Sequence, residues 1–308
     1  MGLSEELRTV VTGLLTPFDD DLAVDYEALA ANAQTIADQG VAALFVCGNV
    51  SEYHSLSRDE RVRVTETARD AVPNMTILAG AGGNTPDAID QAQSYESIGA
   101  DGILVMPPSH TYLHERGLIR YYRKIAASID IPIVPYLRGF EPSVDFVADL
   151  THVAGVIAIK WTIPDVPRFA AVVRATDSDF TWMNGLGEPY VIPFHVEGAT
   201  SHASGIGNFQ PIVAKAMADA IVRDDRRTLD DIRSAAAPLM AFRERPGSGN
   251  TLPGGLSIPT LKAASECAGL VGGRVREPLV ELTDAERMAV VDRYEELMAS
   301  LHSHGHIP

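Results

Sequence analysis

The chain has 308 residues, 46% of them hydrophobic, with 25 Lys and Arg against 41 Asp and Glu for a formal charge of −16. Such a length can bury one large barrel-type core or two smaller ones, and the acidic surplus repels polyanions, which argues against nucleic acid and anionic membranes as partners. No apolar stretch is long enough to span a membrane, and the start MGLSEELRTVV has neither a basic region nor an apolar signal core, so a cytoplasmic location is expected.

Apolar runs and amphipathic segments alternate along the chain. Val10 to Phe18 comes first, followed by a helix start at Asp25 before Tyr26-Glu27 and a stop at Gly40. Val41 to Gly48 is second; it contains Cys47, expected in the core, and leads to Ser57 with Glu60 three residues on, a capping box. Thr76 to Ala81 is followed by a helix start at Thr85-Pro86-Asp87 and a stop at Gly99. Gly102 to Met106 and Ile131 to Leu137 come next, the latter leading to a helix start at Pro142-Ser143. Val156 to Trp161, Phe180 to Asn184 and Thr200 to Gly207 complete a set of eight runs.

Eight strand-helix units predict an α/β protein, a (β/α)8 TIM barrel over residues 1–224. A doubly wound open sheet is disfavoured because Thr16-Pro17-Phe18, and no glycine-rich phosphate loop, follows the first run. Residues 225–308 are expected to be a mainly helical C-terminal region packed on the barrel, with helices over Arg226 to Phe242 and Asp284 to Leu301. Between them Arg245-Pro246-Gly247-Ser248-Gly249-Asn250 reads as a loop. The closing His302-Ser303-His304-Gly305-His306 reads as an exposed, disordered tail. Cys47 and Cys267 lie far apart and are expected as reduced thiols.

In a barrel the chemistry gathers where the strands end. The residues there are Thr16, the Gly48-Asn49-Val50-Ser51-Glu52 turn, Gly82-Gly83-Asn84, Pro107-Pro108-Ser109-His110, Tyr136 with Arg138, Lys160 with Thr162, Asn184 with Gly185 and Glu188, and Ser204 to Asn208. They are mostly hydroxyls, amides, one phenol, one guanidinium and one amine. His54, His110 and His202 fall on separate strands without ligand-like spacing, so no metal is expected. Lys160, one of four lysines, ends the run Val156-Ile157-Ala158-Ile159. An ammonium there is partly desolvated, which favours the neutral, nucleophilic amine. The competing reading is a strand-end lysine that snorkels its head into water.

The order of these motifs resembles the dihydrodipicolinate synthase and N-acetylneuraminate lyase superfamily of class I lyases. The resemblance runs from Thr16-Pro17-Phe18 through the Gly48 to Glu52 turn, Ala79-Gly80-Ala81-Gly82-Gly83-Asn84-Thr85, Gly99-Ala100-Asp101-Gly102, Pro132-Ile133-Val134-Pro135-Tyr136 and Ile159-Lys160 to Arg274-Val275-Arg276-Glu277-Pro278-Leu279. It implies a Schiff-base lysine at Lys160, with Tyr136 moving protons as general acid and base. It also implies that backbone N–H groups at Asn49, Val50 and Ser51 hold a substrate carboxylate, with Ser204 and Thr162 as hydroxyl contacts. Thr16, Asn184 and Arg138 join these as substrate-binding candidates. No cofactor beyond the covalent imine on Lys160 is implied, the partner is a small-molecule 2-oxo acid, and the assembly is a homotetramer of paired dimers.

Departures from the family pattern narrow the expectation. A Gly-Thr-Thr-Gly-Glu turn is replaced by Gly48-Asn49-Val50-Ser51-Glu52, and Pro107-Pro108-Ser109 stands where the synthases have Pro-Tyr-Tyr, removing a relay tyrosine. The Pro-Pro pair, Tyr136-Leu137-Arg138 and Asn208-Phe209-Gln210-Pro211 are most similar to the 5-dehydro-4-deoxyglucarate dehydratase branch. Trp161-Thr162, in place of that branch's Asp-Gly, is expected to alter the pocket floor. The expected reaction is dehydration of a keto-deoxy sugar acid, with or without loss of CO2. The alternatives are a 2-keto-3-deoxy sugar acid aldolase and, behind it, dihydrodipicolinate synthase or a non-catalytic sugar-acid-binding protein. Low lysine and high acid content also suggest adaptation to high salt.

Overall fold

A computed structural model describes residues 2–177 and 179–307. The eight apolar runs each contain one parallel strand: β1 (Val10–Gly13), β2 (Ala43–Val46), β3 (Thr76–Ala81), β4 (Gly102–Val105), β5 (Ile133–Leu137), β6 (Ala158–Trp161), β7 (Thr181–Asn184) and β8 (Ser201–Ser204). They pair in chain order and close through β1 and β8, where Val11 lies between Ala43 and Ala203. Most strands are shorter than their runs. Past β1, Leu14, Leu15 and Phe18 stay buried in loop structure, so apolarity outlasts the ladder.

The helices are α1 (Leu3–Glu6), α2 (Tyr26–Asp38), α3 (Arg58–Ala71), α4 (Thr85–Ile98), α5 (Glu115–Ala126), α6 (Val144–Thr151), α7 (Val166–Arg174), α8 (Val191–Val196), α9 (Pro211–Val222), α10 (Arg226–Arg243), α11 (Ser257–Cys267) and α12 (Asp284–Ser303). Their starts follow side-chain chemistry. Asp25 and Ser143 accept from the backbone N–H three residues on, and Ser57 with Glu60 forms the full capping box. At α4 the cap is Asn84, whose side chain accepts from the Asp87 N–H. Each such cap stabilises its helix by roughly 1 kcal/mol.

The C-terminal helices share one apolar cluster with the barrel: Leu229, Leu239, Val290 and Leu297 belong with Leu14 and Met183. Arg276 fastens the segment after α11 to the strand ends. Its guanidinium grips both oxygens of Glu60, at 2.7 and 2.9 Å, and donates to the carbonyls of Leu22 and Ser55. Two expectations for this region change. A helix, α11, follows the turn-rich loop; residues 259–265 are all buried, so no amphipathic stripe marked it. The tail is also ordered against the fold: α12 runs to Ser303, and the part-buried His306 ring lies 3.5 Å from Asp231 on α10. Pro308, the last residue of the expected C-terminal region, lies outside the described residues. Among the described residues no helix is long and apolar enough to cross a membrane.

Candidate active site

Side chains alternate along β6, so Ile159 and Trp161 point outward while Lys160 shares the inward face with Ala158. Trp161 is therefore not part of the pocket floor. Its ring packs 5.8 Å from Phe169 of α7 and its indole N–H donates to the Ile163 carbonyl. Lys160 is only 6% exposed, and its Nζ lies 4.2 Å from the Phe45 ring centroid and 4.4 Å from that of Tyr136. Burial, and after it the charge of Arg138, lowers its pKa from 10.5 to about 7. Gly185 permits this packing: a Cβ there would come within 2.4 Å of Thr162 Cγ2 and 2.9 Å of Lys160 Cγ.

Lys160 opens into a cavity of about 680 Å³ at the carboxyl ends of the strands. Asn49, Val50, Tyr136, Arg138, Thr162 and Ser204, all singled out from sequence, line it with the lysine. Arg138 Nη1 donates to the Tyr136 hydroxyl at 3.3 Å, which places a fixed positive charge beside the phenol oxygen. Among the described residues the backbone N–H groups of Asn49 and Val50 have no acceptor, leaving two donors at the cavity wall. Thr162 gives its hydroxyl proton to the Leu137 carbonyl at 2.6 Å, which leaves its oxygen as an acceptor.

Three other sequence candidates lie behind the wall. Ser51 donates to the Leu14 carbonyl and accepts from Gly48 N–H, and Thr16 donates to the Ser51 carbonyl at 2.8 Å. Both hydroxyls are fully buried and brace the turn that presents Asn49 and Val50. Asn184 is buried as well; its amide donates to the Gly187 carbonyl and its oxygen accepts from Leu186 N–H. It shapes the 185–187 loop, which does reach the cavity. These residues do not line the cavity, because the chain turns satisfy their polar atoms first.

Other groups were missing from the sequence-derived set. Glu188, noted only as a strand-end residue, is fully buried, and its Oε1 accepts from the Ser204 hydroxyl at 2.7 Å and from the N–H groups of Gly205 and Ile206. Arg243 and Ser257 reach the cavity from α10 and α11. Glu52 lines it too and forms a buried ion pair with Lys262 of α11 at 2.7 Å. Among the described residues no three His, Cys, Asp or Glu side chains are grouped to hold a metal ion. A second cavity, of about 180 Å³, lies between the Gly40–Ala42 segment and α9, where Lys215 pairs with Asp219.

The barrel has relatives over nearly its whole length. A relative from Acinetobacter baumannii (strain AB307-0294), named a probable 5-dehydro-4-deoxyglucarate dehydratase, is 30% identical over 311 residues, covering 97% of this chain and 98% of its own. The 4-hydroxy-tetrahydrodipicolinate synthase of Methanothrix thermoacetophila is 29% identical over 293 residues, covering 92% and 95%. Among solved structures, the dihydrodipicolinate synthase of Oceanobacillus iheyensis superposes with a TM-score of 0.89 at 26% identity, covering 98% of each chain. The profile of the Dihydrodipicolinate synthetase family matches residues 6–297. Nearly the entire fold, including every wall of the cavity, falls within that match, and the chain belongs to the dihydrodipicolinate synthetase family.

Proposed function

We propose that this protein is a lysine-imine lyase that dehydrates a keto-deoxy sugar acid such as 5-dehydro-4-deoxyglucarate, with or without loss of CO2. The observation that carries the reading is Lys160, an amine buried in the cavity with a pKa near 7, facing Tyr136. At neutral pH a large fraction of that amine is unprotonated and nucleophilic. It adds to the ketone carbon of a 2-oxo acid, water leaves, and the protonated imine forms.

The iminium nitrogen then acts as the electron sink, so no cofactor is invoked. The C–H bond beside the imine carbon breaks, its electrons form the enamine, and the proton passes to a base, a role assigned in this reading to Tyr136. The enamine expels the hydroxyl one carbon further on as water, with a proton supplied by an acid. Loss of CO2, where it occurs, returns its electron pair through the conjugated system to nitrogen, and hydrolysis releases the carbonyl product and the free lysine. The carboxylate next to the ketone fits the Asn49 and Val50 N–H groups. Replacement of the relay tyrosine by Pro107-Pro108-Ser109, and the 30% identical relative named as a probable dehydratase, support this branch over the synthases.

Borohydride trapping tests the proposal. Incubation with pyruvate and borohydride is expected to add pyruvate less water plus two hydrogens at Lys160. No mass gain there, or full activity in Lys160→Ala, would sink the imine mechanism. Product analysis with sugar acids then separates the outcomes of the same imine: 2,5-dioxopentanoate with CO2 indicates the dehydratase, and pyruvate indicates retro-aldol cleavage.

A further inference from the structure

Arg243 is the last residue of α10 and faces the cavity across Gly205, the residue that follows β8. A Cβ on Gly205 would lie 2.7 Å from Arg243 Nη1, so the glycine makes room for the guanidinium. Its donors meet only neutral groups: Nε donates to the Ser257 carbonyl at 3.3 Å, Nη2 to Ser257 Oγ at 3.1 Å, and Nη1 to Met240 Sδ at 3.2 Å. Among the described residues no carboxylate lies within ion-pairing distance of it. Elsewhere in this acid-rich chain Arg58, Arg69, Arg276 and Arg287 each hold a carboxylate.

The nearby charges do not complete the pairing. Glu188 and Glu244 act on Arg243 from beyond contact; Glu188 Oε1 accepts from three other donors, and its buried Oε2 has no hydrogen-bond partner among the described residues. Burial lowers the Arg243 pKa, and these two carboxylates only partly oppose the shift. A planar guanidinium that faces a cavity without an anionic partner is suited to bidentate capture of a carboxylate. Arg138 also lines the cavity without a carboxylate partner among the described residues, but its Nη1 donates to the Tyr136 hydroxyl and its charge acts on Lys160, which places it at the imine end of the cavity.

We infer that Arg243 and Ser257 form a second anion subsite, which binds the carboxylate at the end of the substrate remote from the Lys160 imine and so selects dicarboxylic 2-oxo acids over monocarboxylic ones. This rests on the imine reading of Lys160. Arg243 is a specificity residue here: it stabilises the bound ground state, so its loss falls on binding of substrates that have the second carboxylate and leaves pyruvate untouched.

The full-length protein is titrated with 2-oxoadipate and with 2-oxohexanoate, chains of equal length that differ in the terminal carboxylate, and borohydride-trapped Lys160 is measured at each concentration. Charge-assisted hydrogen bonds predict half-saturation by 2-oxoadipate at about 10- to 100-fold lower concentration. Arg243→Met is expected to bring the ratio near one with pyruvate trapping unchanged, Arg243→Lys to keep part of the preference, and Ser257→Ala to reduce it. A ratio near one in the unmodified protein overturns the subsite, as does a preference that survives Arg243→Met or is abolished by Arg138→Met alone. If Arg243→Met is too unstable to trap pyruvate, Ser257→Ala decides, and an unchanged ratio there overturns the assignment. Failure to trap even pyruvate on the unmodified protein overturns the imine reading instead, so the two failures are distinguishable.

Discussion

Tyr136 and Lys160 stand opposite each other in the register of β5 and β6, and the lysine nitrogen lies 4.4 Å from the centroid of the tyrosine ring. The ring and Phe45 wall off the amine, so its charge is stabilised by aromatic faces and, among the described residues, by no carboxylate. Desolvation outweighs the cation–π attraction and brings the pKa to about 7.

Imine formation is therefore expected to rise with pH through about 7, the value at which half of Lys160 is neutral, and to level off above it. Initial rates of borohydride trapping with pyruvate across pH 5.5 to 9.5 measure this. Arg138→Met removes the positive charge that adds to the depression, so its profile is expected to move to higher pH. A midpoint near 10.5, the ordinary lysine value, would show that the amine is solvated and would reject the buried-amine account.

The same burial has a cost in stability. Lys160 binds a proton more weakly folded than unfolded, so below about 7 the folded state holds an unfavourable charge, and between 7 and 10.5 the unfolded chain alone remains protonated. The penalty is full below about 7, declines as pH rises, and vanishes above 10.5. Lys160→Met is expected to be more stable than the parent by on the order of 2–4 kcal/mol at pH 6, with the gain shrinking towards pH 10. Urea unfolding at the two pH values measures it; an equal or opposite change would contradict the burial.

Glu52 and Lys262 couple the carboxylate turn to α11. The pair is closed to solvent; Lys262 also donates to the Arg274 carbonyl, and the second Glu52 oxygen accepts from Arg276 N–H. Removing one partner leaves a buried charge, so Lys262→Met is expected to destabilise by about 3–5 kcal/mol. Glu52→Gln with Lys262→Met should lose less than Lys262→Met alone, because the orphaned carboxylate is gone. Denaturant melts of the singles and the double form the cycle, and additive losses would show that the two side chains are uncoupled.

The barrel and the centre of the site were legible because both follow from periodicity. Apolar runs located the strands, and the strand-end rule brought Tyr136, Arg138, Lys160 and Ser204 to one cavity. Side-chain direction was less legible. Thr16 and Ser51 have the residue types of a binding turn, but which way a hydroxyl points depends on the backbone carbonyl it meets, here Ser51 O and Leu14 O. Arg243 gave no signal, since an arginine closing a helix is what the helix dipole favours in any case. Glu188 and Lys262 depend on contacts across 16 and 210 residues of sequence, which no local pattern encodes.

Ser51 provides a direct test of that distinction. A substrate contact would make Ser51→Ala raise KM, whereas a brace between Leu14 and Gly48 would lower stability and loosen the turn. The expected result is a loss of about 1–2 kcal/mol in unfolding free energy, with pyruvate trapping half-saturated within about threefold of the parent. A large rise in half-saturation without any loss of stability would return Ser51 to the binding set.

The net charge of −16 raises a separate question of salt response. The excess of acidic over basic side chains sets up repulsion at low ionic strength, even though single exposed carboxylates such as Asp59 and Asp20 lie beside an arginine. Molar KCl shortens the screening length to about 3 Å and removes most of that repulsion. It also weakens exposed pairs such as Arg58–Asp90, but the acidic groups outnumber the basic ones, 41 to 25, so repulsion is the larger quantity screened. We propose that the fold is adapted to high salt, and that Tm rises between about 0.1 and 2 M KCl. Melting that is unchanged or earlier in high KCl would mean that the surface charge is distributed widely enough to be harmless, and that the acidity serves solubility alone.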